Sequence, residues 1–242
     1  MLKILNTTSQ IREARQEINK LKVSGLTPLF LAKLKRLFPF GLVVGDYLKS
    51  WDVYNSIQWI QKNGSKDSRI LDLGAFRSEL PISLHKLGFK NIHALDLNNM
   101  ILKMPYADKI HYVVGDLYRT AFETSSFEVI TAISVIEHGF DCGKLMLEVA
   151  RLLRNGGYFI SSFDYWHEKI NTDSVTNFGM SWKIFSEEEV SNMIEIGKQK
   201  NLYPVGGLDF GYKEAPIRCH GYDYTFGWMV LQKKNSQLSE LV

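Results

Sequence analysis

The chain has 242 residues, 45% of them hydrophobic and 23% charged, which suits one globular domain with at most an appended lobe. A net charge of +3 without a long Lys/Arg run is too mild to indicate nucleic acid, and two distant cysteines, Cys142 and Cys219, point to free thiols in a reducing compartment. No apolar run is long enough to span a membrane, and the opening Met-Leu-Lys-Ile-Leu-Asn turns polar at once, so the sequence predicts no stable membrane insertion, no signal peptide and a cytoplasmic location.

Residues 8–22 read as a polar helix with Ile11, Ile18 and Leu21 turned inward and Gly25 as its stop. Thr27-Pro28 is a cap followed by proline at a first helical position, and opens a helix to about Phe38. That helix has Phe30, Leu34, Leu37 and Phe38 on one face and Lys33, Lys35 and Arg36 opposite, the pattern of a surface helix packed on its own domain. Ser50 caps a third helix, 51–61, ended by Asn63-Gly64. From Arg69 onward short apolar runs at 69–73, 91–96, 111–115, 128–134 and 158–162 alternate with helical segments at 79–87, 98–103, 142–154 and 186–200. This alternation predicts a buried parallel sheet with helices on both faces. Asn155-Gly156-Gly157 reads as a turn, and Ser186-x-x-Glu189 as a capping box. The runs 203–209 and 222–233 have no helix between them and should pair antiparallel at the sheet edge. The one boundary the composition suggests lies near residue 64, giving a helical cover over 1–64 and a second domain over 65–242.

The segment Arg69-Ile-Leu-Asp-Leu-Gly-Ala75, followed by a helix and then by Asn91-Ile-His-Ala-Leu-Asp96, is a strand–helix–strand unit with an acid at the tip of its second strand. Such a unit holds a nucleoside: glycine lets the backbone approach, and the acid accepts both ribose hydroxyls. Nicotinamide and flavin sites also need two further glycines so that a helix N-terminus can meet a pyrophosphate. Here Gly74 is followed by Ala75, Phe76, Arg77, Ser78 and Glu79, and Glu79 would repel a pyrophosphate. S-adenosylmethionine carries no phosphate, and Asp72-Leu-Gly74 with Asp96 meets its needs. A nicotinamide oxidoreductase is therefore disfavoured.

Taken in order over residues 50–233, these motifs resemble the class I S-adenosylmethionine-dependent methyltransferases. Ile70-Leu-Asp-Leu-Gly74 is similar to that family's first motif, Asp96 to its second-strand acid, and Gly115-Asp116-Leu117 to the segment whose acid meets the adenine amino group. Ser126 to His138 is similar to the fourth strand and its exit, and Glu148 to Ile160 to the following helix, glycine turn and fifth strand. Asp164 to Ile170 and Trp182 to Glu189 resemble more weakly a bacterial branch associated with polysaccharide and O-antigen biosynthesis. The resemblance implies a Rossmann-like α/β fold with a mainly parallel seven-stranded sheet, an antiparallel C-terminal strand and N-terminal helices. It implies S-adenosylmethionine as cofactor, held by Asp72, Gly74, Ala75, Asp96, Leu97, Asp116, Leu117 and Ser134. Phe76 and Ser78 depart from the family's glycines, so a degenerate cofactor-binding or scaffold module is the alternative.

Ligands of an open parallel sheet sit beyond the carboxyl ends of its strands, which here carry Asp116, Glu137, His138, Asp141, Asp164, His167 and Glu168. Methylating a hydroxyl requires alignment, exclusion of water and removal of a proton. His138 and His167 are the candidate bases because their unperturbed pKa lies near working pH, and Asp164 could orient a histidine or bind a sugar hydroxyl. Tyr165, Trp166 and Tyr222 are the candidate acceptor contacts, whereas Trp51, Trp182 and Tyr224 read as core. Glu137, His138 and Asp141 fit no strong metal-ligand spacing, and Ser134-Val-Ile-Glu-His138 lacks the run used on flipped bases, so neither a metal nor nucleic acid is expected. The expected reaction is methyl transfer to oxygen of a small molecule or saccharide, in saccharide or natural-product biosynthesis; a homodimer is compatible with the sequence.

Overall fold

The computed structural model describes residues 1–28, 31, 42–139 and 141–235. The strands are β1 (Leu2–Ile4), β2 (Arg69–Leu73), β3 (Asn91–Asp96), β4 (His111–Val114), β5 (Phe127–Ile133), β6 (Leu153–Tyr165), β7 (Thr176–Asn177), β8 (Met180–Ser181), β9 (Leu202–Pro204), β10 (Ile217–Cys219) and β11 (Tyr222–Lys233). The α-helices are α1 (Thr8–Lys20), α2 (Ser50–Asn63), α3 (Leu80–Lys86), α4 (Cys142–Leu152) and α5 (Glu187–Lys198). Single 3₁₀ turns span Tyr47–Lys49 and Asn99–Lys103. The helix expected to run on to about Phe38 falls, apart from Thr27, Pro28 and Leu31, outside the described residues.

Seven strands follow the order β1-β11-β6-β5-β2-β3-β4, and β9 and β10 each pair with β11 as well. The pairs β2·β3, β2·β5, β3·β4 and β5·β6 are parallel, and β11 runs antiparallel to β6 over Thr225–Gln232. Residues from both faces of these strands enter two apolar cores, which is why the strands read as near-continuous hydrophobic runs rather than alternating ones. β6 and β11 approach closely because position 227 is glycine: a Cβ there would lie 2.5 Å from the Phe163 ring.

Several expectations need adjusting. Residues 1–64 are not purely helical, because β1 pairs antiparallel with β11 at the sheet edge. Helices α1 and α2 pack into the same core as β2 and β11, through Ile11, Ile18, Ile57 and Ile60. Leu21 is 40% exposed rather than inward, since α1 ends at Lys20 and Lys22 turns the chain with a φ of 59°, delivering Val23 to the core instead. Gly25 is not the stop of α1; it lets the chain lie against α3, where a Cβ would meet Ile82 at 3.0 Å. Asn155-Gly156-Gly157 does not end in a separate turn but lies within β6, with a register shift opposite Phe127 and Val129. The capping box at Ser186 and Glu189 forms as expected.

Candidate active site

The parallel strands β2, β3, β4 and β5 end on one side of the sheet, and their exits build the first half of the candidate site. Gly74 leaves β2 with a φ of +66°, and a Cβ there would lie 2.5 Å from a Val135 methyl, so the β2 and β5 exits cross with no room for a side chain. Ala75 N donates to Leu95 O at 3.0 Å, tying this turn to β3. Asp96 accepts from Phe76 N at 2.9 Å through Oδ2 and from Asn98 N at 2.8 Å through Oδ1. The carboxylate is therefore fixed in orientation with lone pairs still free toward solvent. Its neighbour Leu97 is 65% exposed, an apolar surface directly beside the acid.

At the end of β4, Asp116 accepts from Tyr118 N at 2.9 Å, and Leu117 is partly buried. The Tyr118 hydroxyl donates to Gly139 O at 3.0 Å and accepts from Asp141 N at 2.9 Å, joining the β4 and β5 exits. Asp72 lies buried below the turn and accepts from Thr131 Oγ1 at 2.5 Å. Burial pushes its carboxyl up to about 6 against the bonds from Thr131 and Ser78, and the charge of Asp96 adds to the rise.

Arg77 and Glu79, next to the positions where further glycines were expected, hold the N-terminal segment. Glu79, at the head of α3, is buried and meets Arg15 of α1 with two parallel bonds, Nη1 to Oε1 at 2.8 Å and Nη2 to Oε2 at 2.7 Å. Its Oε1 also accepts from Ser24 Oγ and from the backbone N–H groups of Gly25 and Leu26. Gly45 N donates to Arg77 O at 2.8 Å. The loop after Gly74 thus serves as a dock for the N-terminal segment. Arg15 escaped the sequence reading, although its place on the inward stripe of Ile11, Ala14 and Ile18 signals a buried partner.

Beyond β5 and β6 lies a buried cluster of charges. Lys49 reaches Asp164 Oδ1 at 3.2 Å and Glu137 Oε1 at 3.9 Å, and its ammonium stands 3.4 Å from the centre of the Phe226 ring. Trp182 Nε1 donates to Asp164 Oδ2 at 2.8 Å. Asp52, in the first turn of α2, accepts from Ser162 Oγ at 3.0 Å, and Ser134 Oγ donates to Glu137 Oε1 at 2.5 Å. Ser134 has a φ of 56°, held by its N–H to Ser162 O and Oγ. Among the described residues, two carboxyl oxygens in the cluster, Asp52 Oδ1 and Glu137 Oε2, have no hydrogen-bond partner.

Three carboxyls face one ammonium, so not all can ionise. Burial pushes Asp52 up to about 7, against the pull of Lys49 and Ser162. Burial, followed by the charge of Asp164, pushes Glu137 up to about 8, again against Lys49. Burial works against the charge of Lys49 itself, but Asp164, Asp52 and Glu137 outweigh it and hold the ammonium above the usual lysine value. Lys49 and Asp52 were not legible as site residues, since they precede the parallel strands and read as ordinary helix-start charges.

His138 sits beside this cluster, with Phe178 edge-on at 5.3 Å between ring centres and a buried Nδ1 that has no partner among the described residues. Burial lowers its pKa below the ordinary 6.5, Asp164 partly offsets this and Lys49 adds to it, so the ring is neutral at neutral pH. His167 is placed elsewhere: it stacks on Tyr212 at 4.2 Å, its Nε2 lies 3.1 Å from that hydroxyl, and Trp166 flanks it. Tyr165 is fully buried, with its hydroxyl donating to Phe210 O, so its ring is core and offers no face to an acceptor. Tyr222 is half-buried beside Trp182, whose own ring is core together with Trp51 and Tyr224. Asp164, Glu137, Ser134 and His138 are brought together, and His167 and Trp166 form a separate group with Tyr212.

Residues 71–161 match the family model described as a methyltransferase domain. No curated protein matches the chain. Among solved structures the chain is similar to a SAM-dependent methyltransferase from Methanosarcina mazei, at 16% identity and a TM-score of 0.54, over 73% of this chain and 97% of that one. It is similar to geranyl diphosphate C-methyltransferase from Streptomyces coelicolor, solved with S-adenosyl-L-homocysteine, at 14% identity and a TM-score of 0.55, over 78% and 86% of the two chains. It is also similar to phosphoethanolamine N-methyltransferase 2 from Haemonchus contortus, solved with S-adenosyl-L-methionine, at 14% identity and a TM-score of 0.55, over 75% and 52%. At these identities the likeness is one of fold. Residues 71–161 thus match a methyltransferase domain, and the chain has the fold shared by these S-adenosylmethionine-dependent methyltransferases.

Proposed function

We propose that this chain transfers the methyl group of S-adenosylmethionine to a hydroxyl of a small molecule or saccharide. The residues at the β2, β3 and β4 exits suit that cofactor. The turn at Gly74 has no side chain to obstruct it, Asp96 is oriented to accept from a ribose diol, Leu97 offers an apolar face for adenine, and Asp116 can accept from the adenine amino group. The cofactor supplies a sulfonium-bound methyl, an electrophile that needs no activation.

The observation that carries the oxygen assignment is the place of His138 beside the charged cluster, within reach of the charges of Asp164 and Lys49, with a buried Nδ1 that has no hydrogen-bond partner among the described residues. A hydroxyl loses its proton as its oxygen–carbon bond forms and the carbon–sulfur bond breaks. His138, neutral at working pH, receives that proton, and Asp164 stabilises the imidazolium through the charge that already favours it. Glu137 keeps its own proton below about pH 8 and serves as a hydrogen-bonding group rather than a base. Residues 1–64 contribute Lys49 and Asp52 and close the cofactor side through Arg15, which is the sense in which they cover the site. Incubation with methyl-labelled S-adenosylmethionine and a panel of saccharides and hydroxylated small molecules tests the reading. Label in an ether linkage and release of S-adenosylhomocysteine support it. Label in an amine or on carbon overturns the oxygen assignment, and cofactor binding with no turnover on any acceptor supports a degenerate module instead.

A further inference from the structure

Arg15 stands between two parts of the site that are far apart in sequence. Its Nη1 and Nη2 hold Glu79, which heads the helix directly after the turn at 74–78. Its Nε donates to Ser50 Oγ at 2.9 Å, and Ser50 Oγ donates in turn to Tyr47 O. Ser50 is the immediate neighbour of Lys49, which spans Asp164 and Glu137. The guanidinium is 5% exposed as a residue and has every nitrogen engaged: Nε with Ser50, Nη1 with Ser24 and Glu79, Nη2 with Glu79. A planar fork with donors on two edges can hold two partners at a fixed spacing, and lysine, a single point charge, cannot. For stability alone, an apolar pair of similar volume would serve as well as a buried ion pair, so the geometry of this one calls for another reason.

We propose that Arg15 is a positioning residue for methyl transfer, fastening the cofactor turn at Glu79 to the Lys49 segment through Ser50 so that occupancy of the cofactor half is felt in the charged cluster. The proposal rests on the cofactor reading given above. It requires no contact between Arg15 and either ligand. The coupling is carried by a continuous run of hydrogen bonds: Glu79 to Arg15, Arg15 to Ser50, and Ser50 to the 3₁₀ turn Tyr47–Lys49.

The test is amide hydrogen exchange on the full chain with and without S-adenosylhomocysteine, in wild type, Arg15→Lys and Ser50→Ala, with thermal melts to confirm folding. In wild type the ligand should slow exchange in residues 74–79 and also in 47–52. Arg15→Lys should weaken ligand binding by about tenfold, the size expected when a buried two-point pair loses one point, and at saturating ligand confine protection to 74–79. Ser50→Ala removes the bonds from Arg15 Nε and to Tyr47 O but leaves the Arg15–Glu79 pair in place, so affinity should stay within about threefold, both lost bonds being remote from the ligand, while protection of 47–52 disappears. Should Arg15→Lys fail to fold, Ser50→Ala carries the test alone. Ligand-induced protection of 47–52 that persists in Ser50→Ala, or is absent in wild type, overturns the coupling. Failure of S-adenosylhomocysteine to bind wild type overturns the cofactor reading itself, which is a different result.

Discussion

Replacing Asp52 by asparagine should raise the protein's resistance to unfolding by more at pH 8 than at pH 5. Asp52 is completely buried, accepts one hydrogen bond from Ser162, and leaves Oδ1 unpartnered. Its carboxyl is pushed from 3.8 up to about 7, so the folded state binds its proton more tightly than the unfolded chain does. The stability this group contributes is complete below about pH 4 and is lost as pH rises through about 7, at about 1.4 kcal/mol per pH unit. About two of those units lie between pH 5 and 7, so the wild type should lose about 2–3 kcal/mol from this one group. Asparagine keeps the acceptor for Ser162 and never ionises. Urea unfolding of both proteins at pH 5 and pH 8, followed by tryptophan fluorescence, gives the difference between them at each pH, which cancels the titration of unrelated groups. The variant's stability relative to wild type should rise by that amount between the two conditions. An equal difference at both would mean that Lys49 keeps Asp52 ionised throughout, and the description of three carboxyls sharing one ammonium would be wrong.

Asp96→Ala should weaken S-adenosylmethionine binding by about 1.5–3 kcal/mol, the range for a charged hydrogen bond, as read by calorimetry; unchanged affinity in a folded variant removes Asp96 from the site. His138→Ala should lower kcat by about 10²–10⁴-fold with cofactor affinity nearly intact. Because burial lowers the His138 pKa, the acid limb of the wild-type rate should fall below pH 6.5, and it should vanish in the variant; a limb that survives assigns the base elsewhere. Gly74→Ala should destabilise the protein and impair cofactor binding together, since the new Cβ lies 2.5 Å from Val135 at a φ of +66°; a melting temperature and affinity equal to wild type would mean that the β2 and β5 exits are looser than drawn.

The sheet was legible because its strands are buried on both faces and bounded by turn chemistry. Arg69–Leu73 and Asn91–Asp96 stand where the apolar runs and the following Gly74 and Asn98 put them. Where the reading went astray, local signals competed with tertiary ones. Leu21 fits the period of α1, but Lys22 turns the chain before that residue can face the core. Leu2–Ile4 is too short to announce itself as a strand and exists because β11 offers it an edge. The proposed cofactor half rests on Gly74 and Asp96, whose places are fixed by spacing along one strand–helix–strand unit, and on Asp116 at the exit of β4. The charged half could be read only in part: Glu137, His138 and Asp164 stand at strand exits, but Lys49 and Asp52 come from the segment before β2, and nothing local says that it folds back over β5 and β6. Tyr165 and Trp166 are adjacent in sequence, yet strand alternation sends the first into the core and only the second toward His167 and Tyr212.

The account depends most on the cofactor, and a calorimetric titration tests that directly. S-adenosylmethionine and S-adenosylhomocysteine should bind the wild-type chain at one site, NAD should not bind measurably, and Asp96→Ala should lose at least tenfold in affinity, about 1.4 kcal/mol. Binding of NAD in place of S-adenosylmethionine, or no binding of either nucleoside by the folded protein, would contradict the account.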